Sequence, residues 1–94
     1  MKKFKNISDG LQHIVKQYGL EQHLLEGRVI NEWNEIVGSR ISRNTEIKKI
    51  ENGIIYIKVK NDVWRNELMF YKKKFIDKIN EILGKSVISD IRWI

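Results

Sequence analysis

The sequence predicts an α+β domain with the element order α-α-β-β-α-β and a three-stranded sheet covered by helices on one face. Three observations predict it. Apolar residues recur at helical spacing up to residue 37 and again over residues 63–83. Between these stretches, "TEIKKIENGIIYIKVK" flanks Asn52-Gly53 with isoleucine-rich runs, a strong hairpin signal. The chain then closes on "SVISDIRW", a strand that follows no hairpin.

The elements follow in order. A first helix is expected from about Ser8 to Tyr18. Ser8 caps it, Asp9 sits in its first turn, and Gly19 stops it. Leu11, Ile14, Val15 and Tyr18 share one face. A second helix covers about Glu21–Val37, with Leu24, Leu25, Val29, Trp33, Ile36 and Val37 as its stripe. Gly27 weakens or bends it, and Gly38 ends it. Residues 39–44 read as a short turn with some helical character. A type I′ turn at Asn52-Gly53 would pair Ile50 with Ile55 and Lys48 with Ile57. Ile50, Ile55, Ile57 and Val59 then form the core face. Ile47, Lys49, Ile54, Tyr56 and Lys58 form the open one.

Asn61 or Asp62 can cap a long third helix over Val63–Leu83. Trp64, Leu68, Tyr71, Phe75, Ile79 and Ile82 make a continuous face, widened by Met69, Ile76 and Leu83. Phe70 falls on the opposite side, among Lys73, Lys74 and Asp77. Gly84 stops the helix. The last strand places Val87, Ile91 and Trp93 on one face and Ile88, Asp90 and Arg92 on the other. It must cross over by way of the third helix, parallel to a hairpin strand.

Ninety-four residues make one domain. Its expected bounds are residues 8–94, after a short basic arm at 1–7. Cysteine is absent, which excludes disulfides, thiolate metal sites and a cysteine nucleophile. "MKKFKNISDG" lacks the apolar core of a secretory signal, and no apolar run approaches a membrane span. A cytoplasmic location is expected.

Catalytic constellations are missing. His13 and His23 lie on separate helices without partners at ligand spacing. Ser39 and Ser42 follow Gly38, but no G-x-S-x-G elbow exists. Glu32 and Glu35 read as a surface pair. Neither a phosphate-binding P-loop nor G-x-G-x-x-G is present. The chain reads as a non-enzyme without cofactor, metal or small-molecule substrate.

Charge carries more information. The net charge is +6, and the whole excess falls in residues 39–75. That asymmetry favours a polyanion partner over a merely solvated lysine-rich surface. The candidate nucleic-acid surface comprises Arg40, Arg43, Lys48, Lys49, Lys58, Lys60, Arg65, Lys72, Lys73 and Lys74. Tyr56 and Phe70 are candidates for stacking on an unpaired base, each competing with an ordinary packing role. Trp33 and Trp64 lie on the apolar phase of their helices and read as core anchors that hold the basic segments in place.

The order "WNEIVG" (33–38), "ISRNT" (41–45), "VKNDVWRNEL" (59–68), "NEILG" (80–84) and "VISDIRW" (87–93) resembles the DciA family. Its structural motif is carried here by Trp33, Gly38, Thr45, Trp64 and Leu68. The likeness covers about residues 8–94. Those bacterial proteins are associated with the replicative DNA helicase as its operators or loaders. The resemblance implies a K-homology-like domain, contact with that helicase, non-specific association with single-stranded or forked DNA, and a place at the nucleoid. Two departures bear on this. Many members carry a disordered basic tail, whereas the sequence given ends at Ile94, so the folded domain or the "MKKFK" arm is expected to do that work. A K-homology groove uses G-x-x-G, whereas Gly38-Ser39-Arg40-Ile41 has only the first glycine. An RNA-binding module and a pure protein-interaction adaptor are the alternatives.

Overall fold

The computed structural model describes residues 19–94. The expected helix over Ser8–Tyr18 and the basic arm lie outside the described residues. The elements are α1 (Leu20–Asn31), α2 (Trp33–Val37), α3 (Ser39–Ser42), β1 (Thr45–Glu51), β2 (Ile54–Val59), α4 (Asp62–Met69), α5 (Lys72–Leu83) and β3 (Asp90–Trp93). The sheet order is β1-β2-β3. β1 runs antiparallel to β2, and β3 returns parallel to β2 after the α4–α5 crossover. Ile55, Ile57, Val59 and Ile91 are buried on the sheet face that meets the helices, which contribute Val29, Trp33, Ile36, Leu68, Phe75, Ile79 and Leu83. Tyr56, Lys58 and Arg92 lie on the more open face. The α+β class and the mixed three-stranded sheet are those the sequence predicts.

Both long helices are broken. The second kinks at Glu32, whose backbone leaves the helical region at φ −102° and ψ 11°. Hydrogen bonds from Glu32 N to Arg28 O and from Ile36 N to Glu32 O, each 2.9 Å, bridge the kink, so the axis turns without stopping. Gly27 lies within α1 and is not the bend. Leu24, expected in the buried stripe, is 61% exposed. The third helix breaks at Phe70-Tyr71. There Phe70 N bonds Glu67 O and Tyr71 N bonds Leu68 O, the tighter i→i−3 pattern. This divides the single helix expected over Val63–Leu83, while Trp64, Leu68, Phe75, Ile76, Ile79, Ile82 and Leu83 still lie in or against the core. Met69 is 57% exposed rather than widening the core, and Phe70 stands at the corner, 87% exposed.

The hairpin turn forms as predicted, with φ 52° at Asn52 and 79° at Gly53. Ile50 pairs with Ile55, but Ile57 faces Ile47, not Lys48, because the register shifts between Ile47 and Lys49. The physical reason is burial. Ile47 and Ile50 are three apart, so both can reach the helices only if one extra residue bulges between them. Ile47 therefore moves from the expected open face to the core face.

The last strand is shorter than predicted. Val87 and Ile88 precede it and are both buried, so Ile88 is not on the open face. The Asn80 side chain explains this. Its Oδ1 accepts from the backbone N–H of Val87 (3.0 Å) and Ile88 (2.9 Å), and its Nδ2 donates to Ile88 O at 2.8 Å. One amide thus satisfies backbone that no neighbouring strand pairs. Gly53 completes the entry to β3, its carbonyl accepting from Ser89 N at 2.8 Å.

A Cβ on Gly53 would sit 3.1 Å from both Ser89 Oγ and Val87 O, at a positive φ of 79°. Gly53→Ala is expected to cost about 1–3 kcal/mol, read as a lower urea midpoint with an unchanged slope. Lys72 Nζ lies 3.0 Å from Asp90 Oδ1 and ties the start of α5 to β3. The hydrogen bond from Lys72 is the main reason the Asp90 carboxyl sits below its ordinary 3.8, with partial burial opposing it. The folded value is depressed, so this stabilisation is fully present above pH 3.8 and is lost as pH falls through the folded value. The stability difference between wild type and Asp90→Asn should be flat above that pH and shrink below it. The pair is well exposed, so the plateau is expected at less than about 1 kcal/mol.

Candidate nucleic-acid interface

Arg40 and Arg43 are positioned by one buried donor. Trp33 is buried, and its indole Nε1–H donates to Thr45 Oγ1 at 2.9 Å. That hydroxyl donates in turn to Ile41 O at 2.8 Å. The start of β1 and the end of α3 are therefore fastened to α2. Gly38 makes the preceding corner at φ 88° and ψ 158°, a conformation open to glycine and costly for other residues. Asn44 closes the arrangement, its Nδ2 donating to Arg40 O (2.8 Å) and its carbonyl accepting from Lys60 N (2.9 Å). Arg40 and Arg43 project from this clamped turn.

Two adjoining concavities result. The larger, about 520 Å³, lies between α2–α3 and α4–α5. Ile36, Leu68 and Phe75 contribute apolar lining, Trp64 and Tyr71 are aromatic, and Arg40, Lys74 and Lys78 are cationic. Glu67 is the one carboxylate residue lining it. The Arg40 guanidinium lies 5.3 Å from the Trp64 ring centroid, and Lys74 Nζ lies 5.9 Å from that of Tyr71. The smaller depression, about 260 Å³, is lined by Arg43, Lys58 and Lys60 with Asn44, Thr45 and Glu46. Those three cations make no ion pair among the described residues. Arg40 and Arg43 stand three residues apart on one turn, so together the two hollows form a basic track.

The structure divides the ten expected basic residues. Lys48 pairs with Glu46 and Lys49 with Glu51, each at 3.2 Å. Arg65 pairs with Asp62, and Lys72 with Asp90. Lys72, Lys73 and Lys74 are not one patch, because successive helical residues diverge by about 100°. Lys72 faces β3, Lys73 is exposed, and Lys74 faces the groove. Arg40, Arg43, Lys58, Lys60 and Lys74 line the track.

Lys78 joins them, though it lies outside the charge-rich middle of the sequence. Its spacing of one turn from Lys74 was the available signal. Trp33 is the core anchor expected. Trp64 is half-buried: it packs against the core and also lines the groove under Arg40. Tyr56 is half-buried with Lys49 Nζ 4.7 Å from its ring centroid, and Phe70 stands clear of the groove lining.

Among the described residues no group of three His, Asp or Glu side chains is placed to hold a metal ion, and no helix is long and apolar enough to cross a membrane.

Comparison with known proteins gives a consistent assignment. A family model described as "Dna[CI] antecedent, DciA" matches residues 6–93. A UPF0232 protein of Mycobacterium ulcerans is 22% identical over 79 residues, covering 84% of this chain and 42% of that protein. One from Corynebacterium glutamicum is 22% identical over 88 residues, covering 94% and 49%. One from Mycobacterium tuberculosis is 20% identical over 81 residues, covering 86% and 43%. The chain thus spans less than half the length of these relatives. The Trp33–Thr45 bond accounts for the tryptophan-to-threonine spacing that the sequence resemblance rested on. With a family match running over nearly its whole length, the chain belongs to the DciA family.

Proposed function

We propose that the protein is a DNA-replication accessory that associates with the replicative DNA helicase, assists its delivery to DNA, and holds DNA non-specifically through the basic track. The family match over residues 6–93 carries this reading. The track gives it a physical basis. Arg40, Arg43, Lys58, Lys60, Lys74 and Lys78 present charge to phosphates and release condensed counterions, so affinity falls steeply with salt. The described site offers no arrangement for reading base edges, so the binding is non-specific. The protein hydrolyses no nucleotide in this scheme and leaves that to the helicase. It acts in the cytoplasm at the nucleoid.

An apolar corner supports the protein contact. Met69, Phe70 and Tyr71 are exposed beside one another in sequence at the α4–α5 junction. Exposed apolar clusters of this kind mark protein contacts. We assign Phe70 to helicase docking rather than to base stacking.

Two measurements test the reading. Reversing charge at Arg43, Lys58 and Lys60 together should weaken DNA binding at least about tenfold at low salt. It should also make the slope of log affinity against log salt shallower by roughly 2–3. Unchanged affinity across the salt range would dismiss the track. Gel filtration with the replicative helicase of the same organism should give a complex that Phe70→Ser weakens without lowering the domain's melting temperature. Absence of any wild-type complex at tens of micromolar, with a preference for structured RNA, would replace this reading with an RNA-binding module.

A further inference from the structure

We infer that the Trp64–Tyr71 groove is a seat for one unpaired nucleotide of a single strand, its base on the aromatic wall and its phosphate among Arg40, Lys74 and Lys78. This rests on the nucleic-acid reading above and sharpens it, because electrostatics alone does not distinguish a single strand from a duplex.

The groove combines the three things a nucleotide needs. It has apolar lining in Leu68 and Phe75, two further aromatic side chains in Trp64 and Tyr71, and three cations. About 520 Å³ is within the range of small-ligand sites. Arg40 and Lys74 also stand over the rings that a base would cover, at 5.3 and 5.9 Å from the centroids. Base stacking on an aromatic side chain outweighs an exposed cation–π contact. An entering base therefore displaces the Arg40 guanidinium from Trp64, and the displaced cation meets the phosphate that arrives with the base. Both groups of the ligand then have a partner, and Glu67 is the one lining carboxylate that opposes the phosphate.

Neither aromatic residue expected from the sequence offers this. Tyr56 has Lys49 over its ring, and that lysine is already paired with Glu51. Phe70 is exposed but lies outside the groove lining. A base that remains paired and stacked in a duplex cannot turn its face to Trp64, so the seat selects single strands.

The test compares a twelve-nucleotide oligothymidylate with a duplex hairpin at low salt, by fluorescence anisotropy. Trp64→Leu and Tyr71→Leu should each weaken single-strand binding about tenfold and leave duplex binding within about twofold. Trp64→Phe and Tyr71→Phe, which keep a ring, should restore most of the loss and show that the effect is not one of folding. Reversing Arg43, Lys58 and Lys60 should weaken both ligands together. An oligouridylate of the same length separates the two sources of this chemistry. Whichever strand binds tighter is the occupant, and the same variants should lose it. Equal losses on strand and duplex, or no loss in folded variants at Trp64 and Tyr71, would overturn the seat while the track stands. Failure of the wild type to bind either ligand would remove the track and the seat together.

Discussion

The structure turns on a single indole N–H. Trp33 is buried, and a buried donor left without an acceptor costs about 1–3 kcal/mol. Its acceptor is a hydroxyl twelve residues away, and that hydroxyl spends its own proton on Ile41 O. The two bonds fix where α3 ends and β1 begins. The kink at Glu32 and the corner at Gly38 bring Trp33 and Thr45 together, and Arg40 and Arg43 take their positions from the same turn. Packing therefore positions the charges, and the chemistry of the surface follows from one satisfied donor in the interior.

The opposite end of the sheet uses the same economy. β3 begins where two other elements hold its entry, the Asn80 amide from α5 and the Gly53 carbonyl from the hairpin turn. Neither belongs to a neighbouring strand. Together they let a four-residue strand register against β2 although its approach is irregular. The Lys72–Asp90 pair adds a weaker tie from the first residue of α5.

What could be read from the sequence was what local chemistry decides. Asn52-Gly53 specified its turn, and the crossover followed from a strand with no hairpin partner. The helix breaks were hidden because a tightened turn at Phe70 leaves the apolar spacing on either side nearly unchanged. Trp64 shared that spacing and does pack against the core, but it also lines a groove, which spacing alone does not show. The bulge had a trace, in Ile47 and Ile50 standing three apart, but strict alternation masked it. Charge density pointed to the middle of the chain, where five of the ten expected basic residues line the two hollows. Lys72 is cancelled by an aspartate eighteen positions away, and Lys78 acquires its neighbours only when α5 packs.

The bulge at Lys48 also bears on how the chain behaves in company. Among the described strands β1 is at the rim of the sheet, where unmatched peptide groups invite another molecule to add itself. Its isoleucine-rich stretch would be a ready template for such growth. The register shift breaks the even spacing that a visiting strand would need, and the alternating Glu46, Lys48, Lys49 and Glu51 crowd the border with charge. A rim guarded in this way disfavours extension of the sheet from one copy of the chain to the next.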